Sequence, residues 1–157
     1  MKTASPADKP RGCTNLKLRQ LTRRVTQHYD AEVGKTGLKT TQYSLLCHVL
    51  RFGPLRSVEL AALMQMTAST LSRNLQVLVA EGLLVLEAGP DARSRLVCIT
   101  GAGRARQREA QRHWKAAQLS LNALLGEQRV AALHAVLDEA LAAMAEPAGD
   151  EGAADGD

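Results

Sequence analysis

The chain has 157 residues and a formal charge of +4, with 45% apolar side chains but only one Phe, two Tyr and one Trp. That length suits one domain with a sizeable core, and a core of Leu, Ala and Val on long periodic segments suits a mainly helical protein. No apolar run nears the roughly 20 residues of a membrane span, and the polar start MKTASPADKPRG lacks a signal-peptide apolar region, so no membrane partner is expected and the chain is placed in the cytoplasm.

Residues 1–12 hold two prolines and several charges and read as a flexible arm. Residues 13–33 form the first long helix, with Leu18, Leu21, Val25 and Tyr29 on one face and Gly34 and Gly37 closing it. Thr40 or Thr41 caps a second helix through Phe52, whose Tyr43, Leu46, Cys47 and Leu50 face inward. Gly53-Pro54 stops it, and Leu55 to Ser57 is long enough only for one bridging strand. Ser57 then caps SVELAALMQM, with Leu60, Ala61, Leu63 and Met64 packing inward.

The link Gln65-Met66-Thr67 leads straight into another helix. Thr67 can cap it, because its hydroxyl can accept from an unpaired first-turn amide. Leu71, Leu75, Leu78 and Val79 make one apolar stripe, and Ser69, Ser72, Arg73 and Gln76 lie opposite, polar with no packing reason to be there. Gly82 supplies the left-handed closing residue. Leu83 to Ala88 and Arg95 to Thr100 are short aliphatic runs split by Gly89-Pro90-Asp91-Ala92-Arg93, which predicts a hairpin. Two short helices joined by a tight turn and followed by a hairpin with arginines at its tip make a winged helix-turn-helix, spanning about residues 40–100.

Thr100 caps a long helix with Arg104, Arg106, Arg108, Arg112 and Lys115 in its first half and Trp114, Leu119, Leu121, Leu124 and Leu125 in its second. Gly126 breaks it. EQRVAALHAVLDEALAAMAE makes a last amphipathic helix with Val130, Leu133, Leu137 and Leu141 in register. The fold class is therefore mainly α with a small β-wing, flanked by long terminal helices at about 13–33 and 101–145, within one domain of residues 13–146. Residues 147–157, rich in Gly, Ala and acidic side chains, read as a disordered acidic tail.

The charge follows the same division. Setting aside Glu146, Asp150, Glu151, Asp155 and Asp157 leaves 20 basic against 11 acidic side chains, about +9 on the body. Arginines concentrated on and just after the wing point to double-stranded DNA as the partner. On the reading helix, Ser69, Ser72, Arg73 and Gln76 are the base-edge or phosphate readers; arginine bidentate to guanine is the commonest specific contact. Arg93 is assigned to a narrow minor groove and Asp91 to orienting it or to the turn itself. Arg95 and Arg104 suit phosphate contacts that fix register.

Enzyme chemistry finds no footing. His28, His48, His113 and His134 match no catalytic or zinc motif, and GxSxG, HExxH and a phosphate-binding glycine loop are all missing from the sequence. No cofactor and no metal site are expected. Cys13, Cys47 and Cys98 lack metal-ligand spacing; Cys47 and Cys98 suit small buried hydrophobes. Cys13 opens the first helix with Arg11 and Lys17 nearby, a setting in which thiols become reactive.

GLKTTQYSLLCHVL, SVELAALMQMTASTLSRNLQVLVAEGLL and DARSRLVCITGAG, in this order, resemble the MarR family of bacterial transcriptional regulators. The resemblance covers roughly residues 13–145. Its most specific piece is the wing, Asp91-x-Arg93-Ser94 followed by Ile99-Thr100 and Gly103. Val77 departs from it, standing where members often carry a basic or polar side chain. The resemblance implies a homodimer knit by the first and last two helices, an imperfectly palindromic operator, a location at the nucleoid, and repression relieved by a small effector. Family pockets lie between dimer helices and DNA-binding lobe, which here brings forward Asn15, Arg19, Thr22, Tyr43, Cys47, His48, His113 and Trp114. Many members respond to aromatic carboxylates, which Arg19 suits as a partner. Others sense organic hydroperoxides through a first-helix cysteine hydrogen-bonded to tyrosines, a role that carries over to Cys13 with Tyr29 and Tyr43. Against it, Thr40 stands where one partner tyrosine is expected and Cys13 is slightly displaced. A purely architectural DNA-binding protein is a further alternative, which the long terminal helices disfavour.

Overall fold

The computed structural model describes residues 10–91 and 94–145. The first nine residues of the expected arm, the tip pair Ala92-Arg93 and the acidic tail lie outside the described residues. The elements are helix α1 (Thr14–Val33), a 3-10 turn (Gly34–Thr36), α2 (Thr40–Phe52), strand β1 (Leu55–Arg56), α3 (Ser57–Leu63), α4 (Ala68–Ala80), β2 (Leu84–Ala88), β3 (Arg95–Ile99), α5 (Gly101–Leu125) and α6 (Glu127–Met144). They fall into two compact units, divided after Gln118 within α5.

In the first unit the two wing strands pair antiparallel, from Leu84 opposite Ile99 to Ala88 opposite Arg95. β1 adds to the other edge of β3 through Leu55 opposite Val97, giving the order β1-β3-β2. The bridging strand expected at Leu55 is therefore present. A single core joins α2, α3, α4 and this sheet, built on Leu38, Leu45, Leu46, Val49, Leu60, Leu71, Leu78, Leu84 and Val97, with Ala110 from α5. Each large aliphatic buried this way is worth about 1.5–3 kcal/mol. Leu71, Leu75 and Leu78 of α4 are all buried, so the stripe read from the sequence is what fastens α4 to the lobe.

Several helix ends differ from expectation. Gly34 keeps a right-handed conformation and continues into the 3-10 turn; the left-handed closing residue is Gly37, at φ 79°. Neither Thr40 nor Thr41 caps α2. The Thr40 amide and hydroxyl both donate to Asp30 Oδ1, at 2.7 Å each, and Gln42 Oε1 reaches back to accept from the Lys39 amide. Ser57 is the first helical residue of α3 rather than its cap; Glu59 accepts from the Arg56 amide at 2.8 Å. In both cases the helix begins one residue earlier than the hydroxyl suggested, and the third helical side chain, Gln42 or Glu59, accepts from the N-cap amide.

Leu50 and Leu63, expected to face inward, are exposed, as is Leu18 of the α1 stripe. On α2 the fully buried positions include Leu45 and Val49, so the inward face is broader than the sequence reading drew it. On α5 the inward positions are Gly103, Gln107, Ala110, Ala117 and Leu121, with Trp114 half-buried. The reading of that helix named Trp114 and Leu121 but, drawn to the larger side chains, passed over Gln107, Ala110 and Ala117.

The second unit holds the end of α5 and α6, joined at Gly126. Of the register set on α6, Val130 is buried, Leu133 and Leu137 are half-buried, and Leu141 is exposed. Leu119, Leu124, Val136 and Met144 are exposed as well.

Candidate nucleic-acid interface

Helix α4 starts as its sequence requires. The Thr67 hydroxyl accepts from the Thr70 amide, satisfying one orphan first-turn donor. Gln65, at φ 50°, takes the left-handed step that turns the chain between α3 and α4. Beyond the buried stripe, Ser69, Ser72, Arg73 and Gln76 are all exposed. Arg73 has no ion pair among the described residues. Asn74, between them, donates to the Thr70 carbonyl of its own helix at 3.0 Å.

The wing is held by its own turn. The Gly89 amide donates to the Ser94 carbonyl at 2.8 Å and the Ser94 amide to the Asp91 carbonyl at 3.0 Å, while Ser94 Oγ lies 3.3 Å from the Asp91 amide. Asp91 is exposed, and its charge adds to that of Glu59 in stabilising the protonated Arg56 guanidinium. A pairing of Asp91 with Arg93 falls on a residue outside the described set. Arg95, at the start of β3, and Arg104, in the first turn of α5, are both exposed and form no ion pair among the described residues. Arg106, by contrast, donates to the Thr36 carbonyl at 2.8 Å and ties α5 to the 3-10 turn.

The end of the wing is locked to α5 by Thr100. Its hydroxyl donates to the Gly82 carbonyl at 2.7 Å and accepts from the Gly103 amide at 3.0 Å, capping α5 as expected. Gly82 itself is left-handed, at φ 69°. One threonine thus joins the end of α4, the last wing strand and the start of α5.

The eight residues expected around an effector do not form one cavity. Asn15, Arg19 and Thr22 are exposed along α1. Tyr43, Cys47 and Trp114 do come together, with Tyr29 and Gln107 added: the Trp114 ring lies 6.2 Å from Tyr29 and 6.4 Å from Tyr43, centroid to centroid. Gln107 Nε2 points at Cys47 Sγ from 3.5 Å, and the Tyr29 hydroxyl donates to Gln118. Burial first, and then the neighbouring Cys47 thiol, push the Tyr43 phenol well above its ordinary range. Gln107 escaped the sequence reading, although its place in the 103-107-110-114-117 stripe marks it as inward.

His113 sits beside Glu32, 3.6 Å away. Glu32 also holds Lys35 at 2.7 Å, and chiefly that ammonium keeps its carboxyl below the usual range. His48 turns elsewhere. Its Nδ1 contacts the Ser44 carbonyl at 2.8 Å, and it lines a hollow of about 390 Å³ with Thr26, Thr41, Ser44, Met64 and Met66. A second, mostly apolar groove of about 490 Å³ runs beside α4, with Val58, Ala61, Leu75 and Leu86 in its wall and Ser72 and Gln76 on it. Cys13 is exposed at the start of α1, where Lys17 Nζ donates to the Arg11 carbonyl.

A lobe of three short helices and a three-stranded wing, with a polar helix face and unpaired arginines, defines a winged helix-turn-helix DNA-binding protein. Residues 36–94 match the model of the MarR family. The M. tuberculosis transcriptional regulator MosR, solved in complex with DNA, is 32% identical over 85% of this chain and 99% of that one, with a TM-score of 0.71. A probable transcriptional regulator from Pseudomonas aeruginosa is 28% identical over 80% and 95%, with a TM-score of 0.74. The transcriptional repressor CouR, bound to a 23-mer DNA duplex, is 24% identical over 82% and 92%, and its TM-score of 0.76 shows the shared fold. Curated protein sequences gave no match. The chain belongs to the MarR family: it is a DNA-binding transcriptional regulator and not an enzyme. Among the described residues no helix is long and apolar enough to cross a membrane.

Proposed function

We propose that this chain is a homodimeric repressor that occupies an imperfectly palindromic operator and leaves it when a small molecule binds. The observation that carries the DNA half of this reading is the outward face of α4. Ser69, Ser72, Arg73 and Gln76 are exposed on a helix whose opposite side is buried in the lobe, the arrangement a recognition helix needs to enter a major groove. Arg73 is assigned to base reading, Arg95 and Arg104 to phosphates, and Arg93, with Asp91 beside it in sequence, to the minor groove. Gel shifts on fragments from the chain's own promoter region, run at rising salt, test this. Affinity should fall steeply, since each neutralised phosphate adds about 0.9 to the log–log slope. Arg73→Ala should relax base preference, and Arg93→Ala should weaken all sites alike. Absence of any shift at low salt would falsify the reading.

For release, the ligand must bind the DNA-incompetent arrangement better than the competent one. A coupling of about 1–3 kcal/mol gives roughly 5- to 150-fold weaker operator binding. Supporting a pocket near α1, α2 and α5 are the aromatic cluster of Tyr43 and Trp114 and the exposed guanidinium of Arg19, which suit an aromatic carboxylate. Thermal-shift screening of aromatic acids, followed by operator release with any hit, is the measurement. A thiol-sensing alternative has Cys13 in its favour, exposed as a sensor must be. It has against it that the Tyr29 hydroxyl already donates to Gln118. Peroxide release that vanishes in Cys13→Ser, with no stabilising acid found, would reverse the order of the two.

A further inference from the structure

Among the exposed residues of α4, Val77 is the one large aliphatic side chain. Val77 lies one helical turn beyond Arg73 and directly after Gln76, and 42% of its surface is exposed. It has no part in fastening the helix, because the buried positions are Leu71, Leu75 and Leu78, with Val79 packed against the core. It has no part in the apolar groove either, whose wall on α4 uses Leu71, Leu75 and Val79. Val77 is therefore an aliphatic side chain left on the surface that DNA would cover.

A side chain in that place loses its water on binding whatever it meets. Phosphates and most base-edge atoms are polar, and against them an aliphatic group offers nothing for the hydration they give up. The major groove has one apolar feature, the C5-methyl group of thymine. Valine in a helix is held in essentially one side-chain rotamer, so its methyls are in place before DNA arrives. The four residues from Arg73 to Val77 advance about 6 Å along the helix, close to two base-pair steps of about 3.4 Å. Resting on the groove insertion of α4 argued above, we propose that Val77 reads the C5-methyl group of a thymine one or two base pairs from the base that Arg73 contacts.

The full chain is used to select duplexes from a random-sequence pool, and each thymine of the enriched half-site is replaced in turn by deoxyuridine, which lacks only that methyl. At one thymine the replacement should weaken wild-type binding about fourfold, the worth of burying one methyl-sized group. The loss should shrink in Val77→Ala, which keeps one methyl, and disappear in Val77→Ser, two changes at an exposed site. That thymine should lie within two base pairs of the guanine whose preference vanishes in Arg73→Ala. Indifference to deoxyuridine at every thymine, or a preference that both Val77 variants keep, overturns the inference while leaving DNA binding intact. Failure to enrich any duplex would overturn the groove insertion itself, and the inference with it.

Discussion

At Gly103 the first turn of α5 passes over the end of the Leu83 peptide so closely that an added Cβ would run into the Leu83 carbonyl oxygen and the Ile99 side chain. The same Leu83 carbonyl accepts from the Thr100 amide at 3.1 Å, so it cannot swing aside without breaking the junction of wing and helix. Gly103→Ala should therefore cost about 1–3 kcal/mol, as overpacked sites do, despite alanine's better helix propensity. In a chain of this size that is a melting point lower by roughly 2–4 °C per kcal/mol, which calorimetry reads directly. An unchanged or raised melting point would mean that α5 can lift off the wing at no cost.

Among the elements, α2 shows most plainly what local sequence can and cannot say. Its extent was legible: a periodic apolar stretch ends at Gly53-Pro54, and the structure stops at Phe52. Its cap was not, because the acceptor comes from Asp30, ten residues back on α1, and no local pattern announces a tertiary contact. Asp30→Ala removes the acceptor of two 2.7 Å bonds and should cost about 1–2 kcal/mol, the upper range for a lost cap. Thr40→Ala removes only the hydroxyl bond and should cost less. Urea unfolding midpoints order the two variants, and the reverse order would take Asp30 out of this role. The same physics separates the legible from the illegible in the site. The face of α4 was readable because its stripe, cap and wing are all local signals. The surroundings of Tyr43, Cys47 and Trp114 were not, because those three meet only where α5 packs on α2, a tertiary contact with no local signal. Leu18, Leu50, Leu63 and Leu141 mislead for a related reason: periodicity marks an apolar stripe without saying whether it is buried by its own chain.

On the scale of the whole molecule, that last ambiguity becomes evidence. Leu119 is 69% exposed, Leu124 72%, Val136 62%, Leu141 62% and Met144 82%, all in the unit formed by the end of α5 and α6. Scattered single leucines on a surface are ordinary, but five such side chains within 26 residues offer apolar area for a partner to cover. A second copy of the chain is the occupant proposed here, since a twofold pair would also present two copies of α4 to the two halves of a palindrome. Each half-site then binds at the effective concentration set by its partner, and affinity for the whole operator exceeds that for one half by a factor on the order of 10² or more. Placing a charge in that apolar surface should split the pair without touching the DNA-binding lobe. Leu124→Glu combined with Leu141→Glu should give a monomer by light scattering at micromolar concentration, with the helical signal largely kept. Its affinity for the full operator should fall to that for an isolated half-site duplex, while the wild type distinguishes the two strongly. A double variant that stays dimeric would place the interface elsewhere, and a monomer that still prefers the full operator would mean that pairing of the two lobes occurs only on DNA.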